Sequence, residues 1–264
     1  MRTSLIITTY NRPDALNLVL QSVENQTIFP NEVIIADDGS TNETSLLVEE
    51  YKTKSSLNII HSWQEDKGFR LARSRNKAIL LSKSDYIIQI DGDMVLHKDF
   101  VSDHIKNAIK GFFIQGSRVL LNETVTKKAL KDMTKKFIFF QTGLSNRKNA
   151  IHSNFLSKAL SFPSIKITGI RGCNMSYFKS DFIKVNGFNN LIKGWGREDT
   201  EFVVRLFNLG IRRKNLKFSA IQYHLWHGLE NNKSLKINDQ ILENTLTQKM
   251  IRCESGVNEL KNEH

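Results

Sequence analysis

Two aspartates one residue apart, Asp91 and Asp93 in "YIIQIDGDMVLHKDF", follow an apolar stretch where buried carboxylates are costly unless a cation faces them. Gly92 between them favours a turn that lets backbone approach a ligand. Two hard oxygen donors at this spacing suit a divalent ion that also takes diphosphate oxygens, Mn2+ or Mg2+ by ligand type. Asp-Gly is also an ordinary turn dipeptide, so further donors matter. They occur in "YHLWHG", where His224 or His227 offers an imidazole to the same ion, packing beside Trp226 being the other use of either ring. A third group, Glu198 and Asp199 in "GWGREDTEF", falls in the first turn of a helix, where the dipole favours an ionised carboxylate. A general base acting on a hydroxyl needs that state, although acids at a helix start also serve as plain stabilisers. Trp195 between Gly194 and Gly196 offers a mobile aromatic platform for a sugar face.

Elements that end in these residues must position them. Short apolar runs at 4–10, 32–38, 57–62, 85–91 and 111–120 read as strands, and amphipathic segments at 13–25, 42–53, 70–83 and 98–109 read as the helices between them. Strands apolar on both faces and joined by helices predict an α/β fold with a doubly wound, mostly parallel sheet and helices on both faces. Ligands of such sheets bind outside the carboxyl ends of the strands, so "TTYNR", "ADDGS", "QEDKGFRLARSRN" and "DGD" form one set. Thr8, Tyr10 and Arg12 come from the first, Asp38 from the second, and Arg75, with Arg70 and Arg73, from the helix after the third. An aspartate there can accept from a nucleobase or ribose, and an arginine can meet phosphate with its rigid fork.

Residues 121–168, rich in Lys, Thr, Asn and Ser, read as one or two helices and a loop over the site. Residues 167–188 read as a strand, a helical turn and a glycine turn. The stretch 194–210 carries Phe202, Leu206 and Leu209 on one helical face with Gly210 as the C-cap. A last strand spans 218–228, and the charged tail 231–264 holds one helical pattern. Three stretches follow: 1–120, 121–230 as the second half of the same domain, and a helical tail.

The chain has 264 residues, 40% of them hydrophobic, enough for a substantial core. The first apolar run, Leu5–Ile7, is broken at once by polar residues, which predicts neither a leader nor an anchor, and no stretch reaches spanning length. Cys173 and Cys253 lie far apart without ligand spacing, as expected of a reducing compartment, so the expected location is cytoplasmic. A net charge of +11 implies an anionic partner: nucleic acid, an anionic membrane face or a phosphorylated substrate. No nucleic-acid recognition signature occurs.

Taken in order, "IITTYNRPDAL", "VIIADDGSTNET", "DKGFRLARSRNKAI", "IDGDMVLHKDF", "RGCNMSYFKSDFIKVNGFN" and "GWGREDTEFVVRL" resemble the inverting nucleotide-sugar glycosyltransferases of family 2, with the GT-A fold, across roughly residues 3–228. The second half is similar to the galactosyltransferase-type region of bacterial chondroitin polymerase and the β-1,4-galactosyltransferases. The resemblance implies a UDP-sugar donor, a glycan or lipid-linked glycan acceptor, and Mn2+ or Mg2+. It places Asp38 on the uridine, Asp91 near the ribose, Asp93 and His224 on the metal with His227 as competitor, Trp195 over the donor, Asp199 as base and Glu198 on a sugar. Thr200 departs from the acidic run of the animal enzymes, so acceptor preference does not carry over. The 1–120 half would then bind donor and the 121–230 half acceptor, with contact at the inner face of the cell membrane. A sugar nucleotidyltransferase, which lacks support because "TTYNRPDAL" is not a glycine-rich loop, and a non-catalytic anionic-surface protein are the rival classes.

Overall fold

A computed structural model describes residues 1–228 and 234–261. Of the expected tail and second half, residues 229–233 and 262–264 lie outside the described residues. In chain order the elements are β1 (Thr3–Thr9), α1 (Pro13–Glu24), β2 (Glu32–Asp37), α2 (Asn42–Lys54), β3 (Ile59–Trp63), α3 (Leu71–Leu81), β4 (Tyr86–Asp91), β5 (Met94–Leu96), α4 (Phe100–Asn107), β6 (Phe112–Gln115) and β7 (Ser117–Leu121). There follow α5 (Glu123–Asp132), β8 (Leu144–Ser145), α6 (Asn154–Leu160), β9 (Phe162–Ser164), β10 (Asn174–Phe178), α7 (Lys179–Lys184), α8 (Glu198–Asn208), β11 (Arg212–Asn215), β12 (Ile221–His224), α9 (Leu235–Thr247) and α10 (Val257–Lys261).

Among the described residues, one sheet runs β3-β2-β1-β4-β10-β6-β11-β9 and a smaller one β5-β12-β7-β8. β3, β2, β1 and β4 are mutually parallel, β10 is antiparallel to both neighbours, and β9 closes the far edge antiparallel to β11. β1 and β2 are buried along their whole length, as runs such as "SLIITT" require when helices cover both faces. The sheet is mixed and doubly wound, and the core divides between its two faces.

The run 111–120 is not one strand. It breaks at Gly116 into β6 of the large sheet and β7 of the small one. A Cβ on Gly116 would lie 2.3 Å from the Asn174 side-chain oxygen, so only glycine lets the chain turn around that residue. Asn174 holds the junction: its Nδ2 donates to Ser117 O at 2.8 Å and to Ala220 O at 2.9 Å. Three further differences share one cause, pairing with distant strands. The strand expected from 167 starts only at Asn174, the 121–168 segment contributes β8 and β9, and the 218–228 strand ends at His224. Among the described residues the tail forms two helices, and α9 packs on α8.

A buried polar chain backs the junction. Asn174 Oδ1 accepts from His104 Nε2 at 3.0 Å, His104 Nδ1 faces Ser176 Oγ at 2.7 Å, and Ser176 Oγ meets Tyr86 OH at 2.7 Å. Because Asn174 Nδ2 is committed to two carbonyls, Nε2 of His104 carries the proton and Nδ1 is the acceptor. Burial lowers the His104 imidazole from its ordinary 6.5 to about 4, against the hydrogen bond to Asn174 and the Asp103 carboxylate, which act to raise it. Between those values the unfolded chain binds the extra proton and the folded one does not. Stability therefore falls as pH drops from about 6.5 to about 4, with about 3 kcal/mol at stake by linkage. Urea midpoints at pH 7.5 and 5 should show this loss, and His104→Gln should flatten the dependence.

Candidate active site

β1 and β4 run side by side with Thr8 opposite Asp91, so their carboxyl ends deliver both residues to one place. Asp91 Oδ1 accepts from Thr8 Oγ1 and from Arg75 Nη2, both at 2.9 Å. The next residue turns the chain: the Gly92 N–H donates to Thr8 O at 2.6 Å, and a Cβ there would sit 2.7 Å from that same oxygen. Past the turn β5 pairs antiparallel with β12, His224 opposite Met94. That register brings the last strand's histidines to Asp93.

Asp93 Oδ2 lies 3.4 Å from His224 Nε2, 3.5 Å from His227 Nε2 and 3.6 Å from Arg12 Nη1. Its Oδ1 is buried with no hydrogen-bond partner. Burial pushes the Asp93 carboxyl up, but the His224 hydrogen bond and the charges of His224, His227 and Arg12 together hold it below its usual value. His227 Nδ1 donates to Gly228 O at 2.7 Å, so Nε2 is the ring nitrogen turned toward Asp93. One carboxylate and two imidazoles, with donor atoms within 4.8 Å of one another and an orphaned carboxylate oxygen, could hold a divalent cation that accepts mixed nitrogen and oxygen ligands. Asp91 is not in that group, its Oδ1 being engaged by Thr8 and Arg75.

Two cavities meet here. The first is lined by Thr8, Tyr10, Arg12 and Asp38, together with Asp93 and His227. The second is lined by Arg75, Arg118, Ile170, Arg171, Gly172 and Asp199. Asp91, Trp195 and Glu198 border both. Arg75, read from sequence as a phosphate ligand, is enclosed on the second side, its guanidinium bridging Asp91 to Glu198 Oε1 at 3.4 Å. Arg70 instead gives its backbone N–H to Asp38 Oδ2 at 2.6 Å, while Gln64 holds Asp38 Oδ1. Burial raises the Asp38 carboxyl despite these donors. Tyr10 is half exposed and donates to Asp66 at 2.9 Å.

Glu198 and Asp199 open α8 after Arg197, which takes a left-handed backbone at φ 79°. Gly172 N–H donates to Asp199 Oδ2 at 2.8 Å and Thr200 Oγ1 to Oδ1 at 3.2 Å. The second cavity therefore holds a carboxylate aimed by backbone. Burial, reinforced by the Asp199 charge and opposed by Arg75, raises the Glu198 carboxyl to about 7.

Four contributing residues were not anticipated from sequence. Arg118, on β7, places a cation in the second cavity, and the signal was a charged residue inside the mainly apolar "FFIQGSRVLL". Arg171 and Gly172 line the same wall. From α9, the buried Asn238 donates to the carbonyls of Lys193 and Gly196, both at 3.0 Å, and so fastens the loop that carries Trp195. Nothing in the local sequence marks that asparagine.

This architecture is that of the GT-A glycosyltransferases. The crystal structure of S. aureus TarS 1-349 in complex with UDP matches it with a TM-score of 0.62 at 18% identity, over 92% of this chain and 64% of that one. The chain belongs to glycosyl transferase family 2, whose sequence model matches residues 4–180, and the N-terminal domain of galactosyltransferase matches residues 155–228. Curated relatives include the hyaluronan synthase of Pasteurella multocida, 26% identical over 84% of this chain and 24% of the relative. The chondroitin synthase of Pasteurella multocida (strain Pm70) is 28% identical over 78% and 23%. The chain thus spans about a quarter of the length of these relatives. Among the described residues, no helix is long and apolar enough to cross a membrane.

Proposed function

We propose that this chain is an inverting, metal-dependent hexosyltransferase that moves Gal, GalNAc, GlcNAc or Glc from a UDP-sugar to a glycan or lipid-linked glycan, in bacterial surface polysaccharide synthesis at the inner face of the cell membrane. The observation that carries this reading is the pairing of two cavities across Asp91, Arg75 and Glu198, with Asp93, His224 and His227 on one side and Asp199 on the other. The UDP complex of the fold relative and the synthase names of the sequence relatives support the donor class and the pathway class.

In this reading the 1–120 half takes the donor and the 121–230 half the acceptor. Thr8, Tyr10, Arg12 and Asp38 receive the nucleotide, Asp91 faces the ribose, and Trp195 covers the sugar. Mn2+ or Mg2+, held by Asp93 with His224 and His227, would supply positive charge for the departing diphosphate. Asp199 removes the proton from an acceptor hydroxyl, and the resulting oxygen attacks the anomeric carbon from the face opposite UDP. The new C–O bond forms as the bond to diphosphate breaks, so a single displacement inverts the configuration. Arg75 keeps Asp91 and Glu198 in register at the boundary, and Glu198 holds a sugar hydroxyl.

The test is UDP release from UDP-Gal, UDP-GalNAc, UDP-Glc and UDP-GlcNAc with Mn2+. One sugar should stand out, and a chelator should stop its turnover. Undiminished turnover in chelator overturns the metal assignment, and no release from any UDP-sugar overturns the donor class.

A further inference from the structure

The net charge of the chain is not spread evenly. From residue 133 to residue 180 there are eight Lys or Arg and not one Asp or Glu. The same stretch exposes large apolar side chains: Phe155 is 81% exposed, Ile165 68%, Leu160 51%, Phe162 47% and Ile167 40%. On α6 the exposed residues Phe155, Lys158 and Ala159 stand at i, i+3 and i+4 and so share a face, while Ser157 turns inward. β9 follows at the outer edge of the large sheet, paired on one side only, with Phe162 and Pro163 exposed. Apolar rings interleaved with lysines, without acids, complement an anionic bilayer: the rings enter the headgroup boundary and the cations meet lipid phosphates.

Position adds a second argument. Four residues beyond Ile167, a span of at most about 14 Å, Arg171 lines the cavity of Asp199, and Gly172 donates to that carboxylate. Arg213 Nη1 donates to Thr168 O at 3.1 Å, and Gln115 bonds Arg171 through both its N–H and its C=O, so this connection is held by the sheet.

We infer that α6, β9 and residues 165–167 form a docking surface for an anionic bilayer, and that docking turns the Asp199 cavity toward the headgroup layer, where its acceptor is carried on lipid. The inference rests on the proposed transferase reading for the acceptor, and on the surface alone for the docking.

Flotation with phosphatidylcholine vesicles, with and without about 30% phosphatidylglycerol, tests it. The protein should float with the anionic vesicles only. Phe155→Ser with Phe162→Ser, and separately Lys158→Glu with Lys166→Glu, should each weaken binding at least about tenfold. Both double variants should keep the Mn2+-dependent release of UDP from free UDP-sugar, which also reports that they are folded. A fluorophore on Thr168→Cys should be quenched by headgroup-attached quencher. One on Lys54→Cys, at the end of the helix that leads into the opposite edge strand β3, about 34 Å across the sheet from β9, should not, and the native cysteines are buried. No flotation, flotation unchanged in the phenylalanine variant, or equal quenching at both sites overturns the docking surface. Vesicle binding without UDP release from any UDP-sugar leaves docking standing and overturns the transferase reading instead.

Discussion

Asp199→Asn should lower transfer to acceptor by about 10²- to 10⁴-fold, the usual contribution of a positioned general base. The amide keeps the size of the side chain and can still accept from Gly172 N–H, but it cannot take a proton from a hydroxyl. Donor affinity should therefore stay within a few-fold of the parent. Asp93→Ala should also abolish transfer, but through the donor side: titration of UDP-sugar in Mn2+ should lose its metal dependence, because the carboxylate common to His224, His227 and Arg12 is gone. An Asp199→Asn protein that transfers within fivefold of the parent would sink the base assignment. The two variants together separate proton removal from donor binding, which a single inactive variant cannot do.

Glu201→Ala should cost about 3–5 kcal/mol of stability, a large part of what a domain of this kind possesses. Glu201 and Arg205 face each other one turn apart on α8, both side chains fully enclosed, with Nε–Oε1 at 2.8 Å and Nη2–Oε2 at 2.7 Å. Thr245 of α9 donates to Glu201, and Arg205 reaches the Val185 carbonyl, so the pair also fastens the tail. Removing the acid alone strands a guanidinium in the interior. Replacing both residues by methionine should restore most of the loss, since the desolvation cost of the pair disappears with it. Urea unfolding midpoints of the parent, the single and the double variant give the comparison. A single variant within 1 kcal/mol of the parent would mean that water reaches Arg205.

The parallel half of the sheet was legible because its information is local. "SLIITT" and "EVIIAD" are apolar on both faces, each is followed by a helical pattern, and the strand ends then name their polar residues in advance. The convergence of Asp93 with His224 and His227 was legible as chemistry but not as geometry, for it depends on β5, a three-residue strand whose pairing with β12 no periodicity announces. What stayed hidden was set from afar. The break at Gly116 answers to Asn174, 58 positions on, and the loop of Trp195 is tied down by Asn238, whose sequence surroundings read only as a charged helix. Side chains that work by holding another segment's backbone leave no local pattern.

The asparagine at the sheet junction links two properties that are usually separable. Asn174 gathers Ser117 and Ala220 from the small sheet, and its neighbours Cys173 and Gly172 run into the cavity, where the Gly172 amide meets Asp199. A change that frays the joint must also displace the donor that aims the carboxylate. Fold integrity and turnover are then thermodynamically coupled, so that denaturant would erode activity along the same transition that melts the core.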